Sequence, residues 1–162
     1  MKTLIIYYSQ ARGNTRRIAE MIQKSTGADI AEIETVKSYM GSYEDIVNQG
    51  QEEVTAGFMP EIKPLPLNLD EYDKIILGTP TWWYTMAPAV KTFLSNNDLF
   101  GKKVILFQTH GGWQGHVFED MTAAIKGNVA SEFAVQFDST GGDNLVTPIA
   151  EIEKWIGSIK ND

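Results

Sequence analysis

The stretch Tyr8-Ser9-Gln10-Ala11-Arg12-Gly13-Asn14-Thr15 joins an apolar run, residues 3–7, to a segment with apolar residues at helical spacing. A buried parallel strand that turns into its first helix has this form. In an open α/β sheet such a turn lies at the carboxyl edge of the strands, where ligands bind. Free backbone N–H groups and the positive end of a helix dipole suit a phosphate there. The stretch therefore predicts a phosphate site around which a sheet is built.

Length and composition bound the class of protein. The chain has 162 residues, of which 43% are hydrophobic, and this predicts one domain, residues 1–162, with a substantial core. No apolar run approaches the roughly 20 residues that a membrane-spanning helix needs. The N-terminus lacks the charged start and long apolar centre of a signal peptide. We therefore expect a cytoplasmic protein without a membrane span.

The inventory of side chains excludes several classes of site. The chain has no cysteine, which excludes disulfides, thiolate metal sites, iron–sulfur clusters and cysteine nucleophiles. Its two histidines have no nearby paired carboxylates, so we expect no metal site. The net charge of −7 does not suit nucleic-acid binding, which demands a basic face. Negative charge could steer a basic protein partner or serve solubility alone, and the sequence leaves both open.

Five strand patterns alternate with helix patterns along the chain. The predicted strands are residues 2–8, 28–33, 73–78, 103–109 and 129–137. Contiguous apolar residues in the first and third are typical of strands buried on both faces, whereas the second and fifth have the polarity of edge strands. Each strand is followed by a predicted helix. The connection 34–71 is long, and we expect a helix over residues 43–56 of it, capped by Ser42, and an extended segment over 59–68.

This order predicts an α/β fold, a three-layer sandwich whose five-stranded parallel sheet has the order 2-1-3-4-5 and helices on both faces. In that order the loops after strands one, three and four converge at one edge. The first loop offers hydroxyls and amides, the second three aromatic residues in a row, and the third a histidine and two glycines. Together they predict a pocket for a phosphorylated planar ligand.

Three motifs in these loops resemble the flavodoxin-like family, in particular its short members. The motifs are Ser9 with Gly13-Asn14-Thr15, then Gly78-Thr79-Pro80-Thr81-Trp82-Trp83, then Thr109-His110-Gly111-Gly112. Each motif alone is weak, but three in this order and fold context are specific, and the resemblance covers nearly the whole chain. It implies the flavodoxin-like fold and FMN bound without a covalent link.

The resemblance also implies where the parts of FMN would lie. The hydroxyls and N–H groups of the first motif would hold the phosphate, Trp82 or Trp83 would flank the isoalloxazine ring, and the third motif would run along its other side. The candidate cofactor-binding residues are Ser9, Gln10, Arg12, Gly13, Asn14, Thr15, Pro80, Thr81, Trp82, Trp83, Tyr84, Thr109, His110, Gly111, Gly112 and Gly115. No residue is assigned a catalytic role, since His110 could be an acid, a hydrogen-bond donor to the ring or a loop residue.

Two positions depart from the family pattern. Three residues separate Ser9 from Gly13, so the phosphate loop is one residue longer than usual and lacks its middle hydroxyl. Arg12 in this insertion either pairs with the phosphate or points to solvent. Tyr84 stands where the family often has glycine, and its ring would either close part of the slot or add a stacking surface.

These features favour an FMN protein that acts in electron transfer with a redox partner protein or a small electron acceptor. One alternative is an FMN-dependent NAD(P)H reductase of quinones or similar acceptors. The chain has no Gly-x-Gly-x-x-Gly fingerprint for NAD(P) binding, but flavodoxin-like reductases do not need one. Another is a scaffold without FMN that binds a partner. A response-regulator receiver is excluded, because Ser9 and Thr79 occupy strand ends where that class needs acidic residues. Both a monomer and a homodimer remain compatible with the sequence.

Overall fold

The computed structural model describes residues 1–10 and 13–161. Within these ranges the strands are β1 (Thr3–Tyr7), β2 (Asp29–Glu32), β3 (Lys74–Trp82), β4 (Thr85–Met86), β5 (Lys103–His110) and β6 (Asn128–Gln136). The α-helices are α1 (Asn14–Thr26), α2 (Tyr43–Ala56), α3 (Pro88–Asn96), α4 (Val117–Ala124) and α5 (Ile149–Lys160). In this part of the chain no helix is both long and apolar enough to cross a bilayer.

The sheet has the predicted topology. Its parallel strands run in the order β2-β1-β3-β5-β6, which is the expected order 2-1-3-4-5 once the two-residue strand β4 is set aside. The five-stranded parallel sheet with edge strands β2 and β6 is thus confirmed. Right-handed crossovers place the helices on its two faces.

Strand β3 is longer than the sequence pattern indicated. It was expected to end at Gly78, but it continues to Trp82 and folds back as the antiparallel hairpin partner β4, with Trp82 opposite Thr85. Pro80 lacks an N–H, yet its fixed φ suits an extended chain, so it does not end the strand. The polar and aromatic residues after Gly78 lack the apolar run of a core strand, and the hairpin therefore left no clear signal in the sequence.

The contiguous apolar residues of the central strands contribute side chains to two hydrophobic cores, one on each face of the sheet. Along β1, Leu4 and Ile6 contact one cluster, whereas Ile5 and Tyr7 contact the other. Helices α3 and α4 cover the first cluster, and α1 and α5 cover the second. Because both faces are buried, the strand needs apolar side chains at every position rather than at every second one.

Helix α2 lies in the long crossover between β2 and β3 and is bound less deeply than the others. Ser42 caps it as predicted, in a capping box in which its Oγ accepts from Asp45 N–H at 3.1 Å. Of its residues only Gly50 and Glu53 are buried. The Glu53 carboxylate accepts from the Tyr39 hydroxyl at 2.6 Å and from the Gln49 side chain at 2.8 Å. The middle of α2 is therefore anchored, while its first turn lies at the surface.

We expect Gly78→Ala to destabilise the fold by about 2–3 kcal/mol, since overpacking a core costs this much. A Cβ at Gly78 would lie 2.0 Å from the ring of Phe107, which is fully buried and has no room to retreat. The matched control is Gly157→Ala in α5, where a Cβ meets nothing within 4 Å. Alanine should stabilise that helix by about 0.5–1 kcal/mol. Urea unfolding of both variants checks the opposite signs.

Candidate functional site

A pocket of about 260 Å³ opens at the carboxyl edge of the parallel strands. The start of α1, the β3–β4 hairpin, the end of β5 and the loop after β6 form its walls, and α2 lies across one side. The predicted site residues that line it are Gln10, Asn14, Thr15, Pro80, Thr81, Trp82, Trp83, Thr109, His110 and Gly111. Convergence of the three loops at one edge follows from the strand order.

Five of the predicted residues that the structure describes do not belong to this lining. Ser9, Gly13, Tyr84, Gly112 and Gly115 lie in the same loops but outside the pocket wall. Arg12 lies outside the described residues, so its two alternatives stay a prediction. The other five have structural roles next to the pocket, described below.

The start of α1 presents backbone donors to the pocket. Gly13 adopts a left-handed conformation with φ 72° immediately before the helix, and Ser9 Oγ accepts from Arg16 N–H at 3.2 Å. In the described part of the chain, the N–H groups of Asn14 and Thr15 have no acceptor. The first turn also carries Arg16 and Arg17 and no acidic residue. The helix dipole disfavours positive charge at this end, and the Arg16 guanidinium is paired with the Glu32 carboxylate at 2.7 Å.

Asn14 adds a buried acceptor to these donors. Its Nδ2 donates to the carbonyl of Gly142 at 3.0 Å, which fixes the orientation of the amide. Its Oδ1 is buried and finds no partner among the described residues. An unpaired buried acceptor costs about 1–3 kcal/mol, and a hydroxyl group of a ligand would satisfy it. The site therefore offers donors for an anion and an acceptor for a hydroxyl from the same residue.

Thr15 ties two walls of the pocket together. Its hydroxyl and that of Thr109, at the end of β5, are 2.8 Å apart and buried. The first and third loops are thereby held in a fixed relation.

Trp82 belongs to both the core and the pocket wall. It packs edge-on against Tyr8 at 5.9 Å and against Tyr39 at 5.2 Å between ring centroids. On α2, a Cβ at Gly50 would lie 3.0 Å from the Trp82 ring, so the glycine allows the helix to approach it. The neighbouring Trp83 is 38% exposed and donates its indole N–H to the carbonyl of Val47 at 3.0 Å.

The turn between β3 and β4 holds two bulky residues in a backbone conformation that glycine prefers. Trp83 has φ 48° and Tyr84 has φ 70°, and each costs about 1–2 kcal/mol there. A two-residue hairpin turn of type I′ needs positive φ at both positions, which gives a physical reason to expect glycine rather than tyrosine at position 84. The Tyr84 ring is 54% exposed and lies outside the pocket lining.

Two neighbours secure this strained turn from the third loop. The carbonyl of Tyr84 accepts from His116 N–H at 2.8 Å. Gly115, with φ 58°, packs so closely that a Cβ there would lie 2.2 Å from the same carbonyl oxygen. Gly115 therefore acts on the pocket through the position of the hairpin.

His110 is a neutral hydrogen-bond donor at the pocket wall. Its Nδ1 accepts from Gly112 N–H at 2.9 Å, so the ring proton is assigned to Nε2. Burial lowers the pKa of His110 below its ordinary value. This geometry favours a His110 side chain that donates a hydrogen bond from Nε2 over one that acts as a proton-donating acid.

Sequence comparison places the chain among known proteins. A family model described as flavodoxin matches residues 2–146. The protein belongs to the flavodoxin family. Flavodoxin 1 of Escherichia coli K12 is 31% identical over 106 residues, a match that covers 63% of this chain and 46% of the relative. The flavodoxin of Klebsiella pneumoniae is 30% identical over 111 residues, 66% of this chain and 49% of the relative. The matched stretch thus spans about half the length of these relatives.

Solved structures show the same fold. A flavoprotein from Lactobacillus acidophilus in complex with FMN superposes with a TM-score of 0.70 at 23% identity, over 82% of this chain and 92% of the other. Flavodoxin 2 from Bacillus cereus gives a TM-score of 0.56 at 21% identity, over 98% and 95% of the two chains. These likenesses confirm the flavodoxin-like fold that the sequence motifs implied.

The sequence patterns did not predict two walls of the pocket. Helix α2 contributes Tyr43, Ile46, Val47 and Gly50, and the end of β6 with the loop after it contributes Phe137, Asp138, Gly141 and Gly142. The loop did carry a signal, because aspartate followed by threonine and glycines is typical of turns closed by the aspartate side chain. The side chains of α2 gave none, since their spacing describes only an amphipathic helix.

Asp138 holds the loop after β6 in shape. One carboxylate oxygen accepts from the Thr140 hydroxyl at 2.6 Å and from Gly142 N–H at 2.8 Å, and the other accepts from Asn144 N–H at 3.0 Å. These hydrogen bonds, that of Thr140 first, lower the pKa of Asp138 to about 2. The loop is therefore closed by an ionised carboxylate.

We expect Tyr84→Gly to raise the stability of the protein by up to about 1 kcal/mol, because glycine relieves the strain at φ 70° at a smaller entropic cost. Gly115→Ala, the converse change, should destabilise the protein because its Cβ would collide with the Tyr84 backbone. Thermal unfolding measures both. A stability loss in Tyr84→Gly would show that contacts of the tyrosine ring outweigh the strain.

We expect Asp138→Asn to remove a pH-dependent part of stability. The pKa of Asp138 in the folded protein, about 2, lies below its ordinary value of 3.8. The contribution of the ionised Asp138 carboxylate to the free energy of unfolding is therefore complete above pH 4 and disappears as the pH falls towards 2. The gap between wild type and Asp138→Asn should be widest near neutral pH and should close between pH 4 and 2.

The matched control for this change is Asp143→Asn, which removes a negative charge from the same loop. There the backbone carbonyl, rather than the carboxylate, accepts from Arg17. At pH 7, 4, 3 and 2 the free energy of unfolding of this control should stay close to that of wild type. A gap for Asp138→Asn that stays constant with pH would contradict the assignment.

Proposed function

We propose that this protein binds FMN and acts in electron transfer. One observation carries the proposal: the same pocket is lined by Asn14 and Thr15 at the start of α1 and by the two tryptophans of the hairpin, and Asn14 Oδ1 has no partner among the described residues. FMN carries a phosphate, a chain of hydroxyl groups and a planar aromatic ring in that order. The polar and aromatic walls of the pocket fit these three parts.

The phosphate would lie at the start of α1. The N–H groups of Asn14 and Thr15 would donate to it, and the helix dipole favours an anion there. The bonded state of Ser9 and Thr15 supports a positional role for their hydroxyls, because Ser9 already accepts from Arg16 N–H and Thr15 already pairs with Thr109. A ribityl hydroxyl donating to Asn14 Oδ1 would remove the cost of leaving that acceptor unpaired.

The ring would lie between the hairpin and the end of β5. When bound, FMN supplies the redox chemistry, while the protein sets its orientation and electrostatic surroundings. Trp82 and Trp83 exclude water and offer aromatic faces, and His110 Nε2–H offers a donor that favours negative charge on the nearby part of a reduced ring. The net charge of −7 would steer a basic redox partner towards the protein.

We expect purified protein to take up FMN and to retain it through gel filtration, with quenched flavin fluorescence. Trp83→Ala should weaken FMN binding by about five- to tenfold, the equivalent of roughly 1 kcal/mol of aromatic contact. Phe100→Ala is the control, since that ring is 77% exposed and outside the pocket. Fluorescence titration gives the dissociation constants. A wild-type protein that takes up no FMN would overturn the proposal in favour of a partner-binding scaffold.

The loaded protein also separates a carrier from a reductase. A carrier should accept electrons in two separate one-electron steps when titrated with dithionite, and it should oxidise NADPH only when a separate reductase is added. Rapid oxidation of NADH or NADPH by the loaded protein alone, with a quinone as acceptor, would overturn the carrier function and support a reductase.

A further inference from the structure

Helix α2 lies across one side of the pocket and is anchored at its middle. Four of its residues line the pocket. The anchors are the Trp83 indole N–H bonded to the Val47 carbonyl, the close approach of Gly50 to Trp82, and the buried Glu53. The first three residues of the helix are exposed. An element with so little buried surface opens at a small cost in free energy.

The opposite side of the pocket is held firmly. Besides the Asp138 hydrogen bonds, the loop after β6 is tied to α1 at two points: Asn14 Nδ2 donates to the Gly142 carbonyl, and Arg17 donates to the Asp143 carbonyl at 3.4 Å. The Arg17 guanidinium also lies over the Phe137 ring, 5.9 Å from its centroid. Of the two sides, α2 is therefore the one that can move.

A close contact joins the two sides. A Cβ at Gly141 would lie 2.2 Å from the Tyr43 hydroxyl oxygen and 2.7 Å from the ring carbon that bears it. Gly141 also has φ 79°, a conformation that disfavours any side chain. The absence of a side chain at 141 therefore lets the tip of Tyr43, in the first turn of α2, rest on the fixed loop. Both residues line the pocket, so this contact bridges its two sides.

We propose that Tyr43 and Gly141 form a latch that holds α2 closed over the pocket, and that cofactor entry and release require the first turn of α2 to move away. The latch rests on the proposed FMN binding. Because this contact joins two parts of the protein and involves no cofactor atom, it stabilises the closed position of α2 by the same amount in the free and the loaded states. Its loss should therefore speed both entry and release while leaving affinity nearly unchanged.

The test compares four variants by stopped-flow flavin fluorescence. Tyr43→Ala removes the latch from α2, and Gly141→Ala displaces it from the loop. Tyr43→Phe removes the hydroxyl, the atom nearest Gly141, but keeps the ring, so its rate constants should lie between those of wild type and those of Tyr43→Ala. Phe58→Ala, which removes a 52% exposed ring beyond the other end of α2, is the control. Tyr43 is itself 47% exposed, so its removal leaves no cavity in the core.

For Tyr43→Ala and Gly141→Ala we expect the association and dissociation rate constants for FMN both to rise about tenfold, the kinetic equivalent of roughly 1.4 kcal/mol. The dissociation constant should change by less than threefold. A rise in the dissociation rate constant alone would mean that Tyr43 only contacts the cofactor, and it would overturn the latch. Unchanged rate constants in both variants would overturn it as well.

Hydrogen exchange of the ligand-free protein tests the latch without FMN. Both alanine variants should speed exchange of the α2 amides, with the amides of β3 and β5 unchanged as an internal reference. If wild type takes up no FMN, the proposed function fails and the latch has no cofactor to retain. If wild type binds FMN and the α2 amides exchange equally in all variants, the latch alone is overturned.

Discussion

The strained turn at Trp83 and Tyr84 is the constraint on which the architecture of this site depends. Two bulky residues at positive φ persist only because their surroundings outweigh the local cost. Here the Val47 carbonyl of α2 accepts a hydrogen bond from the Trp83 indole N–H, and His116 N–H, after the third loop, donates to the carbonyl of Tyr84. The same two hydrogen bonds that hold the turn also fix α2 and the third loop on either side of it. The strain is therefore coupled to the spacing of the pocket walls, and the hairpin is the element through which that spacing is set.

The polar end of the pocket rests on a complementary principle, an incomplete set of hydrogen bonds. Nearly every buried polar group in a folded protein finds a partner, and Asn14 Oδ1 is an exception among the described residues. Its amide cannot turn over, because Nδ2 is bonded to the Gly142 carbonyl. Asn14 Oδ1 and the N–H groups of Asn14 and Thr15 have no partner among the described residues, and a ligand with both a hydrogen-bond donor and a negative charge would pair with all of them. A phosphate alone would satisfy the N–H groups and leave Oδ1 unpaired, so the pocket favours a ligand that carries hydroxyls next to its phosphate.

Much of this arrangement follows from the sequence. The contiguous apolar residues of β1 and β3 can be buried only on both faces of a sheet, and the strand order then brings three loops to one edge, where ten of the predicted residues line the pocket. What the sequence could not predict depends on distances between segments far apart in the chain. Tyr84 shows no sign of its positive φ, because tyrosine is not a turn residue. Nothing in the sequence around Gly50 and Gly141 distinguishes them from other glycines. The structure shows why a side chain does not fit there, because Trp82 packs against Gly50 and Tyr43 packs against Gly141. The motif predicts that the hydroxyls of Ser9 and Thr15 bind the phosphate, whereas in the structure both hydroxyls already form hydrogen bonds within the protein.

The walls of the pocket differ in how they are stabilised, and this difference bears on how a carrier would work. The end of β5 and the loop after β6 are held by buried or multiple hydrogen bonds, such as Thr15 with Thr109 and the Asp138 carboxylate. A fixed wall on this side would keep the environment of a bound ring constant between oxidation states and so would limit the reorganisation that the proposed electron transfer requires. Helix α2 instead has a small buried surface and a few specific anchors, which is typical of an element that opens at a small cost in free energy. The side with many hydrogen bonds would thus set the electrostatic surroundings of the ring, and the weakly buried helix would lie where the cofactor enters.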